Sequence, residues 1–203
     1  MHEYRIIEKG KPLEQAQSAI ILLHGRGADA YDILPLADEF CDDTFYIVAP
    51  QATNNVWYPF SFLSPEVRNE PWLTSAVGTV KHLIDNIGKH LTTNKIYIMG
   101  FSQGACLALE VSSQFAVKYA GVAAFTGGLI GEKIRTEKYN GNFEGTRVFI
   151  GNSDIDPHVP SERSEESRRL MQMKGAEVTY KIYPGMAHTI IQDEIDTVLQ
   201  LMF

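Results

Sequence analysis

The chain has 203 residues, 44% of them hydrophobic, and a formal net charge of −7 from 25 acidic and 18 basic side chains. That is enough apolar material for one substantial core, and the length predicts a single domain over 1–203. The charges of both signs are interspersed, with no basic stripe to grip phosphate backbones and no polybasic anchor, which argues against nucleic acid and anionic membrane as partners.

In chain order, the N-terminal stretch MHEYRIIEKGKPLEQAQ is charged throughout and lacks a signal-peptide core. No apolar run approaches the roughly 20 residues a membrane span needs, so a cytoplasmic protein without integral membrane association is expected. Strand-like runs follow at YRIIE, SAIILLHG, FYIVAP, KIYIMGF, GVAAFTGG, RVFIGN and VTYKIYPG, most of them ending in Gly or Pro. Between them, helices are predicted over 30–40, 72–91 with a start near Pro71, 104–118, 161–174 and 188–202. Strands alternating with helices predict an α/β fold with a mostly parallel central sheet and helices on both faces. Near-continuous apolar strands such as AIILL and RVFI agree, because they suit burial on both sides. There is no internal repeat, low-complexity tract or linker.

One segment, KIYIMGFSQGACLALE, joins a short β-branched and aromatic run to an apolar helical pattern. Gly100 and Gly104 bracket Ser102 as GxSxG, where the chain reverses so abruptly that Cβ atoms on either side would clash. The turn leaves the serine hydroxyl exposed at the start of a helix, whose first N–H groups and positive dipole end aim at the same place. A glycine-punctuated connection without chemistry would look the same, so the rest of the machinery has to be sought elsewhere.

In an open parallel sheet, ligands bind outside the carboxyl ends of the strands. Besides the serine turn, the segments there are 24–30, 51–62, 126–133, 151–160 and 184–190. A serine hydroxyl needs a base within hydrogen-bond reach and a third group that holds the base in the right tautomer. Asp154 and Asp156 lie in the segment after RVFI, and His188 lies in the one after VTYKIY. The order Ser, Asp, His at the ends of successive strands is that of the α/β-hydrolases.

Together, LLHGRGAD, GFSQGACLALE, DPHVP and YPGMAH resemble the small serine carboxylesterase, lysophospholipase and acyl-protein thioesterase family of α/β-hydrolases, from about residue 18 to the end of the chain. The resemblance implies the α/β-hydrolase fold, with Ser102 as nucleophile, Asp156 as acid and His188 as base. It also implies an oxyanion hole from the backbone N–H groups of Arg26 and Gln103. The expected reaction is cleavage of a carboxylic ester or thioester through an acyl-enzyme, with a small-molecule substrate and no cofactor. The alternatives are a hydrolase acting on long acyl chains, as a lysophospholipase or acyl-protein thioesterase does, one acting on ring-cleavage products or lactones, and a non-catalytic binding protein of the same fold.

Other residues have competing readings. His158 is nearer Asp156 in sequence than His188 is, but DPHVP suits an exposed position or one beside the site. Asp154 is the rival acid, and His24 is expected to satisfy a backbone group below the oxyanion loop. The interval Thr126–Thr146 is too short for a cap domain, which implies a wide, accessible site. The cluster Trp57, Tyr58, Phe60 and Phe62 is expected either to wall the substrate pocket or to pin its loop to the core. Apolar rim residues of this kind would serve a homodimer as well as a substrate.

One position departs from the resemblance, since acyl-protein thioesterases tend to have leucine where this chain has Arg26. A guanidinium there, joined by Arg68, would favour short or acidic acyl substrates, unless Arg26 pairs with Asp29 or Asp32. Cys41 and Cys106 read as free thiols packed as small hydrophobes, and six dispersed histidines with no CxxC or HExxH give no metal-ligand spacing.

Overall fold

The computed structural model describes all 203 residues. Seven strands form one sheet: β1 (Ile6–Gly10), β2 (Ser18–Leu23), β3 (Phe45–Pro50), β4 (Ile96–Phe101), β6 (Gly121–Phe125), β8 (Arg147–Ser153) and β9 (Glu177–Tyr183). Two-residue strands β5 (Phe115–Ala116) and β7 (Asn140–Gly141) pair separately. The order across the large sheet is β1-β3-β2-β4-β6-β8-β9, and every pairing is parallel except that of β1 with β3. This is the mostly parallel sheet the sequence predicts, with one antiparallel edge.

Because side chains alternate across a strand, each central strand feeds two cores. Ile21, Leu23, Val48, Ile98, Val122 and Ala124 enter the larger one, against α3 (Trp72–Ile87), α4 (Gln103–Gln114) and α5 (Ser161–Met173). Ile20, Leu22, Ile47, Met99, Ala123 and Phe125 enter the smaller one, against α1 (Ala30–Ile33) and α6 (Gln192–Met202). The apolar positions of α3, Leu73, Ala76, Val77, Val80, Leu83, Ile84 and Ile87, recur every three or four residues and are all buried. A short helix, α2 (Glu66–Asn69), precedes it. No helix is long and apolar enough to cross a membrane.

The helices predicted from spacing differ from the observed ones at their ends. The 30–40 segment is α-helical only to Ile33 and continues as a 3₁₀ helix over Leu34–Glu39, where Pro35 lacks the N–H that an α-helix would use. Helix α4 stops at Gln114, and Phe115–Ala116 pairs with Asn140–Gly141 instead of extending it. Helix α6 begins at Gln192, so residues 188–191 are a loop, which frees His188 from helical geometry.

Two buried carboxyls shape this framework. Glu110 on α4 accepts from the Ile130 N–H and the Tyr139 hydroxyl at 3.0 Å each, and from Gln114 and Lys138 at 2.7 Å each. It thereby fastens the interval between β6 and β8 onto α4, and a buried carboxylate is tolerable because it is paired and hydrogen-bonded. Glu194 is also buried, but one oxygen accepts the Ile191 N–H at 3.1 Å while the other has no partner. Burial pushes its carboxyl up to about 7.

Folding therefore raises the Glu194 pKa above that of the unfolded chain. The stabilisation from holding its proton is present below the ordinary glutamate range and is lost as pH rises through about 7. Glu194→Gln cannot ionise, so the melting temperature of the variant relative to wild type should rise between about pH 5 and about pH 8. The expected gain is of order 6 °C, equivalent to about 2 kcal/mol in a chain of this size. A pH-independent difference in parallel thermal melts would contradict this account.

Candidate active site

Ser102 sits between β4 and α4 at φ 54° and ψ −116°, in the left-handed region that a side chain rarely adopts. The glycines on either side make this turn possible. A Cβ on Gly100 would overlap the Gly104 carbonyl, and one on Gly104 would overlap the Leu23 and His24 carbonyls at the end of the adjacent strand β2. The Ser102 N–H donates to the Phe125 carbonyl at 3.0 Å, tying the turn to the end of β6. A strained backbone held this firmly is characteristic of functional turns.

The loops after β8 and β9 bring Asp156 and His188 to this serine. His188 Nδ1 lies 2.6 Å from Asp156 Oδ2, and Nε2 lies 2.7 Å from Ser102 Oγ. An ionised carboxylate only accepts, so Nδ1 carries the proton and Nε2 is left to accept from the serine hydroxyl. Burial raises the Asp156 pKa, but the hydrogen bond from His188 and the backbone N–H groups of Val159 and His158 outweigh it. Both N–H groups reach Asp156 Oδ1 at 2.8 Å, and the net result holds the carboxyl below its usual range.

The rivals lie elsewhere. Asp154 accepts the Gly185 N–H at 2.7 Å and so ties the acid-bearing loop to the histidine-bearing loop. His158 is exposed at the rim, its ring edge-on to that of His188 at 5.0 Å between centroids. His24 is fully buried; its Nδ1 donates to the Gly25 carbonyl at 2.8 Å and its Nε2 accepts from the Ala52 N–H at 3.1 Å. Acceptance at Nε2 requires the neutral ring, in keeping with a pKa lowered chiefly by burial.

The Gly25 backbone comes so close to the serine that a Cβ built on it would stand 3.6 Å from Ser102 Cβ. In this loop the Gly27 and Ala28 N–H groups bond to protein carbonyls, whereas the Arg26 N–H makes no hydrogen bond within the protein. Gln103 is the first residue of α4, so its N–H has no acceptor inside the helix.

A cavity of about 350 Å³ opens at Ser102 and His188. Its walls include Tyr58, Phe60, Phe62, Cys106 and Val159, with Arg26, Ser61, Gln103 and His158 supplying polar groups. Trp57, an expected wall residue, does not line it. Its ring is fully buried 5.0 Å from that of His24 and donates to the His24 carbonyl at 2.9 Å, so it pins the loop to the core. Arg68 also stands outside the lining, with its guanidinium over the Phe60 ring at 4.5 Å.

Arg26 is not paired with Asp29 or Asp32. Asp29 caps α1, and the Arg26 guanidinium donates to the carbonyls of Tyr58, Pro59 and Phe60 at 2.8, 2.9 and 2.9 Å. The Arg26 guanidinium is therefore not a free fork awaiting an acidic substrate, because it already donates to three backbone carbonyls.

A serine on a strained strand-to-helix turn, at the carboxyl edge of a mostly parallel sheet with a histidine and an aspartate from later strand ends, defines an α/β-hydrolase. Residues 2–202 match the family described as Phospholipase/Carboxylesterase, and the chain belongs to that family. It is similar to the crystal structure of a phospholipase/carboxylesterase from Dyadobacter fermentans, with 44% identity, a TM-score of 0.96 and coverage of 98% of this chain and 96% of that one. It is 30% identical to acyl-protein thioesterase 1 of Debaryomyces hansenii over 94% of this chain and 91% of that protein. Its match to acyl-protein thioesterase 1 of Saccharomyces cerevisiae is 35% identical over 61% of this chain and spans only 54% of the yeast protein.

Reading the sequence alone misses the residues that hold the 57–61 loop. His2 accepts from the Thr53 N–H at 3.1 Å and donates to the Trp57 carbonyl at 2.8 Å, and Asn69 bonds Phe60 and Ser61 at 2.8 and 3.1 Å. Nothing in the neighbourhood of His2 signals a contact with residues more than 50 positions away.

The close approach at Gly104 yields a direct test. Gly104→Ala would drive a methyl into the Leu23 and His24 carbonyls, so a loss of about 2–3 kcal/mol in denaturant unfolding is expected. Wild-type stability in the variant would mean that the helix and strand can separate without cost.

Proposed function

We propose that this chain is a serine hydrolase that cleaves carboxylic esters through an acyl-enzyme, with Ser102 as nucleophile, His188 as base and Asp156 as the acid that orients it. The observation that carries this reading is the continuous hydrogen-bonded line from Asp156 through His188 to Ser102, at 2.6 and 2.7 Å, at the mouth of a cavity. Ser102 Oγ attacks the acyl carbonyl while His188 Nε2 takes its proton, and ionised Asp156 stabilises the imidazolium. The backbone N–H groups of Arg26 and Gln103 receive the developing oxyanion, where one donor is typically worth about 3 kcal/mol. His188 returns the proton to the leaving alcohol or thiol, and water then repeats the sequence on the acyl-enzyme to release the acid.

The substrate reading is a short or polar acyl group. A polar share of the cavity lining and its modest volume support it. The second reading, long acyl chains or thioesters, is favoured by the likeness to proteins named acyl-protein thioesterase 1.

Hydrolysis of p-nitrophenyl esters from acetate to palmitate, by wild type and Ser102→Ala, tests both. The variant should lose essentially all turnover and all labelling by a fluorophosphonate probe. Peak activity on acetate or butyrate supports the short-acyl reading, and a peak at palmitate supports the other. Equal labelling of wild type and variant would sink the serine mechanism. Asp156→Asn keeps the shape of the acid but leaves the His188 tautomer unspecified, so kcat should fall by about 10⁴-fold with folding retained. A kcat within about tenfold of wild type would remove Asp156 from its proposed role.

A further inference from the structure

The two residues whose backbone N–H groups are proposed to meet the oxyanion also send their side chains to one place. Arg26 Nη2 donates to the Tyr58 carbonyl at 2.8 Å, and Gln103 Nε2 donates to the same oxygen at 2.8 Å. Gln103 Oε1 accepts the Trp57 N–H at 2.9 Å, so its amide grips both sides of the Trp57–Tyr58 region. Arg26 extends the grip to the Pro59 and Phe60 carbonyls at 2.9 Å each. Tyr58, Pro59 and Phe60 all line the cavity beside Ser102.

The segment that makes this wall has no regular secondary structure, so its polar backbone groups need partners from outside it. Gln103 is buried and holds the inner end. Arg26 is exposed, where water competes for each donor, but three carbonyls converge on one planar fork. The Arg26 backbone belongs to the loop beside Ser102, and the Gln103 backbone follows Ser102 directly. Displacing the wall therefore pulls on both backbone donors, and displacing either donor pulls on the wall.

We propose that the side chains of Arg26 and Gln103 are positioning residues that clamp the Tyr58 carbonyl, and so couple the shape of the acyl wall to the alignment of the two oxyanion N–H groups. The proposal rests on the serine-hydrolase reading above. It assigns Arg26 a selectivity role that works through the backbone it holds, without contact between guanidinium and substrate.

The test uses Arg26→Met, Arg26→Lys, Gln103→Ala and the Arg26→Met/Gln103→Ala double variant of the full chain. Met keeps the length and packing of the arginine stem without its donors, and Lys keeps one charge but cannot bridge three carbonyls. For each, kcat and KM are measured on p-nitrophenyl acetate and octanoate, alongside fluorophosphonate labelling and a thermal melt. The expected result is a folded protein that still labels, with kcat on acetate lowered about tenfold in Arg26→Met and in Gln103→Ala. The acetate-to-octanoate ratio of kcat/KM should shift toward octanoate, because a released wall no longer fits the short acyl group tightly. Lys should not restore either value.

Since both side chains act on one carbonyl, the double variant should fall well short of the product of the two single effects. Multiplicative losses, an unchanged chain-length ratio, or full rescue by Lys would each overturn the clamp. Should Arg26→Met fail to fold, Gln103→Ala and Arg26→Lys decide the matter through the same ratio. Failure of the underlying reading has a different signature, namely activity and labelling that survive in Ser102→Ala.

Discussion

The structure depends on a contact in which side chains are missing. At Gly104 the first turn of α4 presses against the Leu23 and His24 backbone, and at Gly100 the strand end presses against Gly104 itself. Only hydrogen atoms fit there, so the helix starts abruptly and the intervening residue is forced to a positive φ. Ser102 is thus placed by packing of the backbone around it. The same closeness brings Gly25 beside the serine, and Arg26, Ser102 and Gln103 line one cavity there.

Around this point, surfaces without regular structure are held by side chains that arrive from far along the chain. The 57–61 loop takes hydrogen bonds from His2, Arg26, Asn69 and Gln103, and the loops bearing Asp156 and His188 are joined by Asp154 to the Gly185 N–H. A wall built in this way acquires definition without a cap domain, because the carbonyls of Trp57, Tyr58, Pro59, Phe60 and Ser61 each have a specified donor. The interval that would carry a cap in larger relatives of the fold is itself tied down, through Ile130, Lys138 and Tyr139, to the buried carboxylate of Glu110.

Three carboxyl groups show how surroundings divide one chemistry into different roles. Asp156 receives two backbone N–H groups and an imidazole, and these hold it ionised against the effect of burial. Glu110 accepts from an amine, an amide, a hydroxyl and a backbone N–H, and it serves as a structural tie. Glu194 has one partnered oxygen and one unpartnered, so burial prevails and its carboxyl is pushed up to about 7. The number and kind of donors, more than depth of burial, separates these cases.

Strand runs, helix runs and the order Ser102, Asp156, His188 could be read from the sequence because each is written in local terms. Apolar periodicity follows from strand and helix geometry, glycine spacing follows from backbone overlap, and loops after parallel strands share one edge of the sheet. Nothing local separates Asp156 from Asp154, two positions apart, beyond the family resemblance; in the folded chain Asp154 meets Gly185 while Asp156 meets His188. Trp57 and Tyr58 are adjacent, aromatic and both buried in the core, yet only Tyr58 also borders the cavity. For Arg26 the sequence suggested a carboxylate partner, within the chain or on a substrate. Its acceptors proved to be backbone carbonyls 32 to 34 residues away. Such acceptors exist at every residue and carry no sequence signature, so folding alone selects which of them a long, flexible donor will meet.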